Sequence, residues 1–187
     1  MLIEESVYTQ FVEKLTQRLA NLRVGDPTQK ETHIGPIARA ELRDHLHDQV
    51  TRSMASGANC VMGGKLPEGP GSFYPVTLLT DVPLDAAAFT EETFGPVAAV
   101  RAVADVDEAF AIANDTAYGL GASIWTESER GAQLAARFES GQVAVNGIVK
   151  SDPRLPSGGI KRSGYGKELG PHGIREFVNA QQVWQGE

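Results

Sequence analysis

Apolar positions in the first part of the chain recur at helical spacing. Val7, Phe11, Leu15, Leu19 and Leu22 fall three or four apart, with Glu13, Lys14, Gln17 and Arg18 between them. That spacing gathers the apolar side chains on one face and predicts a helix. Val24-Gly25-Asp26-Pro27 ends it, because Gly takes a left-handed cap and Pro cannot continue a helix. Leu42, Leu46, Val50 and Met54 predict a second helix over 40–56, closed by Gly57. The short apolar runs 59–62, 76–79, 97–103, 122–126 and 143–146 predict strands, and the Gly- and Pro-rich stretch 65–72 a surface loop. Asp105 with Glu108 three positions later is a capping-box pattern, so a helix is predicted over 106–113. Further helices are predicted over 127–140 and 174–179. Strands alternating with helices imply parallel βαβ units, an α/β fold with helices covering a sheet.

Composition narrows the function classes. The 187 residues carry a net charge of −7 and no more than two adjacent basic side chains, Lys161 and Arg162. A nucleic-acid partner is not expected, because phosphate binding needs a basic stripe. No apolar run reaches the ~18 residues of a membrane span, so no membrane partner is expected either. The first residues lack the basic and apolar regions of a signal peptide. The single cysteine, Cys60, excludes an internal disulfide and fits a reducing, cytoplasmic setting.

Several motifs bear on chemistry. Gly164-Tyr165-Gly166-Lys167-Glu168-Leu169-Gly170 misses the dinucleotide fingerprint by one residue and lacks the Ser or Thr of a phosphate loop. A tight turn is the simpler reading. His45 and His47 lie two apart on a predicted helix and point to different faces, so they form no chelating pair. No metal site is expected, and the four histidines read as surface or cap residues. Cys60 sits in a short apolar strand with nothing beside it to lower its pKa, which favours a buried structural thiol. Glu91-Glu92 precedes a Gly95-Pro96 turn and the strongest apolar strand. It reads either as a solvated corner or as the rim of a cleft. The loop carrying Ser151 and Arg154 follows a buried-looking strand, where α/β sheets place ligands. It reads either as an ordinary polar loop or as a hydroxyl and a guanidinium offered to an anion.

Together these motifs resemble one family. Glu91-Glu92-Thr93-Phe94-Gly95-Pro96-Val97 resembles the E-E-x-F-G-P-V signature of the aldehyde dehydrogenase superfamily. Asn114-Asp115-Thr116 with Tyr118-Gly119-Leu120 is similar to its N-D-T-x-Y-G-L. Val145-Asn146 resembles its V-N strand. The run Pro156-Ser157-Gly158-Gly159-Ile160-Lys161-Arg162-Ser163-Gly164-Tyr165-Gly166-Lys167-Glu168 resembles P-F-G-G-x-K-x-S-G-x-G-R-E. Gly25-Asp26-Pro27 and Ile34-Gly35-Pro36 match two further landmarks in order. Ala38-Arg39, Leu42-Arg43-Asp44 and Ser151-Asp152 resemble the bacterial succinate-semialdehyde dehydrogenases within that family.

The resemblance implies a C-terminal part of an NAD- or NADP-dependent aldehyde dehydrogenase. Residues 1–176 would belong to the catalytic domain and 177–187 to a strand that pairs with another subunit in a homo-oligomer. Glu92 matches the glutamate that accepts hydrogen bonds from the nicotinamide ribose, and Phe94 an aromatic beside the nicotinamide. Ser151 matches the substrate anchor, a Ser where the substrate carries a carboxylate and commonly an aromatic where it is apolar. Ser157 stands where the family usually has Phe, which removes an apolar wall and suits a polar aldehyde. The family's nucleophilic Cys, general-base Glu and dinucleotide domain match upstream positions, and Cys60 matches none of them. The expectation is therefore a chain with no catalytic residue of its own and no activity alone, whose intact form oxidises succinate semialdehyde to the acid. The alternative expectation is a non-catalytic remnant that serves in oligomerisation.

Overall fold

The structure, a computed structural model, describes residues 1–127 and 129–187. The chain divides into two units, Met1–Ala109 and Phe110–Glu187.

The first unit begins with a strand that the sequence pattern did not show, β1 (Leu2–Glu4), followed directly by helix α1 (Glu5–Ala20). β1 pairs in parallel with β5 (Arg101–Val103). Helix α2 (Ala40–Ala55) lies where it was predicted. Strands β2 (Asn59–Met62), β3 (Thr77–Thr80) and β4 (Val97–Ala99) form one sheet in that order. β2 runs antiparallel to β3, and β3 parallel to β4. A short helix α3 (Ala87–Thr90) precedes β4 and was not predicted. The core joins Leu46 and Val50 of α2 to Tyr74, Leu79, Val82 and Ala86, all buried. The buried face of α2 also holds two polar residues, Gln49 and Ser53, at helical spacing from Leu46.

The predicted strand over 97–103 is two strands. β4 pairs with β3 and β5 with β1, and the change of partner falls at the fully buried Val100. The Val100 amide donates to the Leu79 carbonyl (2.9 Å), which closes the end of the β3–β4 ladder. Helix α4 (Val106–Asn114) starts at the predicted Asp105–Glu108 pair, with the return bond one residue further out than in a strict capping box. Asp105 Oδ1 accepts the amides of Asp107 and Glu108 (both 2.9 Å), and Glu108 Oε2 accepts that of Ala104 (2.6 Å).

In the second unit β6 (Tyr118–Gly119) pairs antiparallel with β9 (Ile160–Lys161). β7 (Gly121–Ile124) pairs in parallel with β8 (Gln142–Val145). The parallel pairs agree with the α/β expectation. The helix predicted over 127–140 is shorter, α5 (Gly131–Ala135), and Ser128 of that range lies outside the described residues. Phe110 meets Phe138 edge-on at 4.8 Å, and the Arg137 guanidinium lies 4.3 Å from the Phe110 ring centroid. The last helix is α6 (Gly170–Arg175), earlier than the predicted 174–179. It starts at Gly170-Pro171, with Leu169 held at φ 61°, because Pro fits a first helical turn. No helix or strand follows Arg175 among the described residues.

Candidate functional site

Glu92 and Phe94 lie in the first unit, on the segment between α3 and β4. Residues on the buried face and shoulder of α2 hold α3 and that segment. Ser53 Oγ donates to the Gln49 carbonyl (2.7 Å) and accepts the Ala88 amide (2.8 Å). Gln49 Nε2 donates to Glu91 Oε2 (2.9 Å) and to the Glu92 carbonyl (3.0 Å). Arg52 donates from Nη1 to Glu91 Oε1 (2.8 Å) and from Nη2 to Oε2 (3.0 Å), a bidentate pair. Arg52 Nε also donates to Asp48 Oδ2 (2.7 Å). On the far side, the Pro96 carbonyl accepts the Thr77 amide (2.8 Å). A Cβ at Gly95 would overlap Leu46 Cδ2, so the segment lies directly on the core there.

The two adjacent glutamates thus divide. Glu91 is spent on α2. Glu92 is exposed, and its carboxylate meets no hydrogen-bond or ion-pair partner among the described residues. The Phe94 ring is 70% exposed. An acceptor-only carboxylate and a bare aromatic face, two positions apart on a pinned segment, could take hydroxyl donors and a flat ring. Gln49 and Arg52 were missed by sequence reasoning. Only Gln49 carried a signal: with Ser53 it sits on the helix face that Leu46 and Val50 define as buried.

Arg52 and Gln49 hold the Glu91 carboxyl far below its usual 4.5, at about 2. A depressed carboxyl stabilises the fold fully above its unfolded value and loses that contribution as pH falls through its folded one. The window here is from about 4.5 down to about 2. The Glu91 side chain is 38% exposed, so solvent screening limits the contribution to about 1 kcal/mol or less. The melting midpoint of the protein is expected to fall more steeply across that window than that of Glu91→Gln. Parallel curves would contradict the pairing.

Ser151 lies in the second unit, in the loop after β8, and is exposed. Asn146 ends β8 with φ 52° and brackets Thr126: its Oδ1 accepts the Thr126 amide (2.8 Å) and its Nδ2 donates to the Thr126 carbonyl (2.9 Å). The neighbouring Arg154 is not offered to an anion. Its Nε and Nη2 donate to Asp152 Oδ1 and Oδ2 (2.9 and 2.7 Å), and that pairing holds the Asp152 carboxyl below its ordinary range. Among the described residues no guanidinium therefore stands free beside the exposed Ser151 hydroxyl.

Cys60 departs from the expectation of a buried thiol. It is exposed, because β2 is the edge of its sheet, and its Sγ–H donates to the Met62 carbonyl (3.4 Å). The histidines do not cluster: His47 Nδ1 meets the Tyr74 hydroxyl (3.1 Å), and His33 Nδ1 accepts the Arg23 amide (3.1 Å). Among the described residues no group of His, Cys, Asp and Glu could hold a metal ion, and no helix is long and apolar enough to cross a membrane.

The model of the aldehyde dehydrogenase family matches residues 1–183. The chain belongs to the aldehyde dehydrogenase family. It is 49% identical over 181 residues to succinate-semialdehyde dehydrogenase (NADP(+)) 1 of Mycobacterium ulcerans, covering 96% of this chain and 40% of that protein. It is 48% identical over 184 residues to a probable succinate-semialdehyde dehydrogenase (NADP(+)) of Synechocystis, covering 98% and 40%. The crystal structure of succinic semialdehyde dehydrogenase from Streptococcus pyogenes in complex with NADP+ superposes with a TM-score of 0.93 at 34% identity, over all of this chain and 41% of that one. The chain thus spans about 40% of the length of the relatives it matches.

Family membership gives its motifs a physical reading. In this aldehyde dehydrogenase chain Asn114, of N-D-T, is a hub: its Oδ1 accepts the Glu139 amide (2.9 Å), its Nδ2 donates to the Arg137 carbonyl (2.8 Å), and its own carbonyl accepts Lys161 Nζ (2.7 Å). Lys161 comes from the G-G-x-K motif and also pairs with Glu139 (2.7 Å). Ser163, of the same motif, accepts the Gly119 amide on Oγ (3.0 Å). These two motifs tie β6, β9 and the 137–139 backbone together within the second unit.

Proposed function

We propose that this chain is part of an aldehyde dehydrogenase that oxidises succinate semialdehyde with NADP+, and that it supplies the ribose clamp and the substrate loop. The cofactor accepts the hydride when bound. The observation that carries the reading is the division of the glutamates, which leaves the Glu92 carboxylate exposed and unpaired on a segment pinned at Glu91 and Pro96. In this role Glu92 accepts both ribose hydroxyls and fixes the nicotinamide end, while Phe94 offers its exposed ring to the flat nicotinamide. Ser151 donates its hydroxyl to the semialdehyde's carboxylate, and the absence of Phe at Ser157 keeps that end of the substrate site polar. The relatives named for succinate semialdehyde and NADP(+) support both choices. Cys60 matches no catalytic position of the family and is assigned no role as nucleophile. The segment after Arg175 pairs with a second copy. Phe177 and Trp184 are 91% and 83% exposed, large apolar side chains that call for cover.

Ser151→Phe in the intact enzyme tests the substrate reading. A hydrogen bond to a charged group contributes roughly 1.5–3 kcal/mol, so selectivity for succinate semialdehyde over an uncharged aldehyde of the same length is expected to fall by about tenfold or more. An unchanged ratio of the two kcat/KM values sinks the assignment of Ser151.

A further inference from the structure

We infer that Gln49 and Arg52 are positioning residues for Glu92, fixing the peptide from which its carboxylate reaches the ribose hydroxyls. The inference rests on the ribose-clamp reading of Glu92 and goes beyond it, since neither residue reaches the cofactor in that reading.

Three observations carry it. Glu91 has extended backbone, φ −109° and ψ 157°, and neighbouring side chains on extended backbone point to opposite sides. Turning Glu91 inward onto Arg52 therefore turns Glu92 outward. Second, the hold is made at two points. Arg52 grips the Glu91 carboxylate with both arms of its fork, and Gln49 Nε2 bridges that carboxylate to the Glu92 carbonyl. Two fixed points on adjacent residues set the direction of the Glu92 Cα–Cβ bond, which one contact would not. Third, Gln49 is 1% exposed and its Oε1 is buried with no partner among the described residues. A buried acceptor left unpaired destabilises the fold, and an apolar side chain of the same length would avoid that. An amide at this position is accounted for by what its Nε2 holds. Arg52 also neutralises Glu91, so the carboxylate beside Glu92 does not repel it.

A double-mutant cycle in the intact dehydrogenase tests this, with the KM for NADP+ and the KM for succinate semialdehyde as separate readouts. Arg52→Met and Gln49→Met are each expected to raise the NADP+ KM roughly three- to tenfold and leave the aldehyde KM unchanged. Arg52→Lys, which keeps the charge without the fork, should recover part of the loss. Added to Glu92→Gln, either substitution should change the NADP+ KM no further. Gln49→Met conserves volume and keeps the test open where Arg52→Met fails to fold. The inference is overturned by an unchanged NADP+ KM in Gln49→Met, or by the same factor in both backgrounds, which marks a purely structural effect. If Glu92→Gln itself leaves the NADP+ KM unchanged, the ribose clamp fails, and the positioning role fails with it.

Discussion

Glu92→Gln in the intact enzyme is expected to raise the KM for NADP+ about tenfold and to leave the KM for succinate semialdehyde nearly unchanged. The substitution keeps the shape of the side chain and one acceptor oxygen but removes the charge. Hydrogen bonds to a charged acceptor contribute roughly 1.5–3 kcal/mol, against about 1 for neutral pairs, and 1.4 kcal/mol is a factor of ten. The amide would also replace one of the two acceptor oxygens with an NH2 donor, leaving one acceptor for the two hydroxyls. The effect is confined to the cofactor because Glu92 has no other partner among the described residues to lose. For the same reason stability should hold: the melting midpoint of Glu92→Gln is expected to match that of the unmodified enzyme. A drop in stability with no change in the NADP+ KM would make Glu92 a structural residue.

The second large effect is on the fold. A Cβ at Gly141 would overlap the Gly158 carbonyl oxygen and lie 2.8 Å from its carbon. The clash is with backbone, so no rotamer relieves it. Gly141 is also tied in place, because its amide donates to the Gly119 carbonyl (3.0 Å). Gly141→Ala must push apart the start of β8 and the loop bearing Gly158-Gly159, and overpacking of this kind costs about 1–3 kcal/mol or more. Gly147→Ala is the control in the same unit. Its Cβ would reach only the Val145 carbonyl at 3.8 Å, and its cost should stay within about 0.5 kcal/mol. Chemical denaturation of both variants decides the matter, and equal midpoints would contradict the packing described for Gly141.

Much of this architecture was legible from residue spacing. The apolar stripe of α2 and the bounds of β2 were read correctly, because amphipathic period and flanking glycines act locally. The double strand at 97–103 was not. A continuous apolar run looks the same whether it keeps one partner or changes partner at Val100. β1 and α3 are three and four residues long, too short for any period to register. The candidate site was half legible. Motif resemblance singled out Glu92, Phe94 and Ser151, but the separate fates of Glu91 and Glu92 depend on Arg52, which is remote in sequence and lies on a charged stretch with no signal of its own. Cys60 was misjudged because strand composition does not reveal which strand forms the edge.

As proposed, this chain belongs to a dehydrogenase that takes a carboxylate-bearing aldehyde and NADP+. Steady-state rates of NADP+ reduction by the intact protein, with succinate semialdehyde and with butanal, test it most directly. The expected kcat/KM is at least about tenfold higher for succinate semialdehyde, in keeping with one charge-assisted hydrogen bond from Ser151. Equal values, or a preference for butanal, would contradict it.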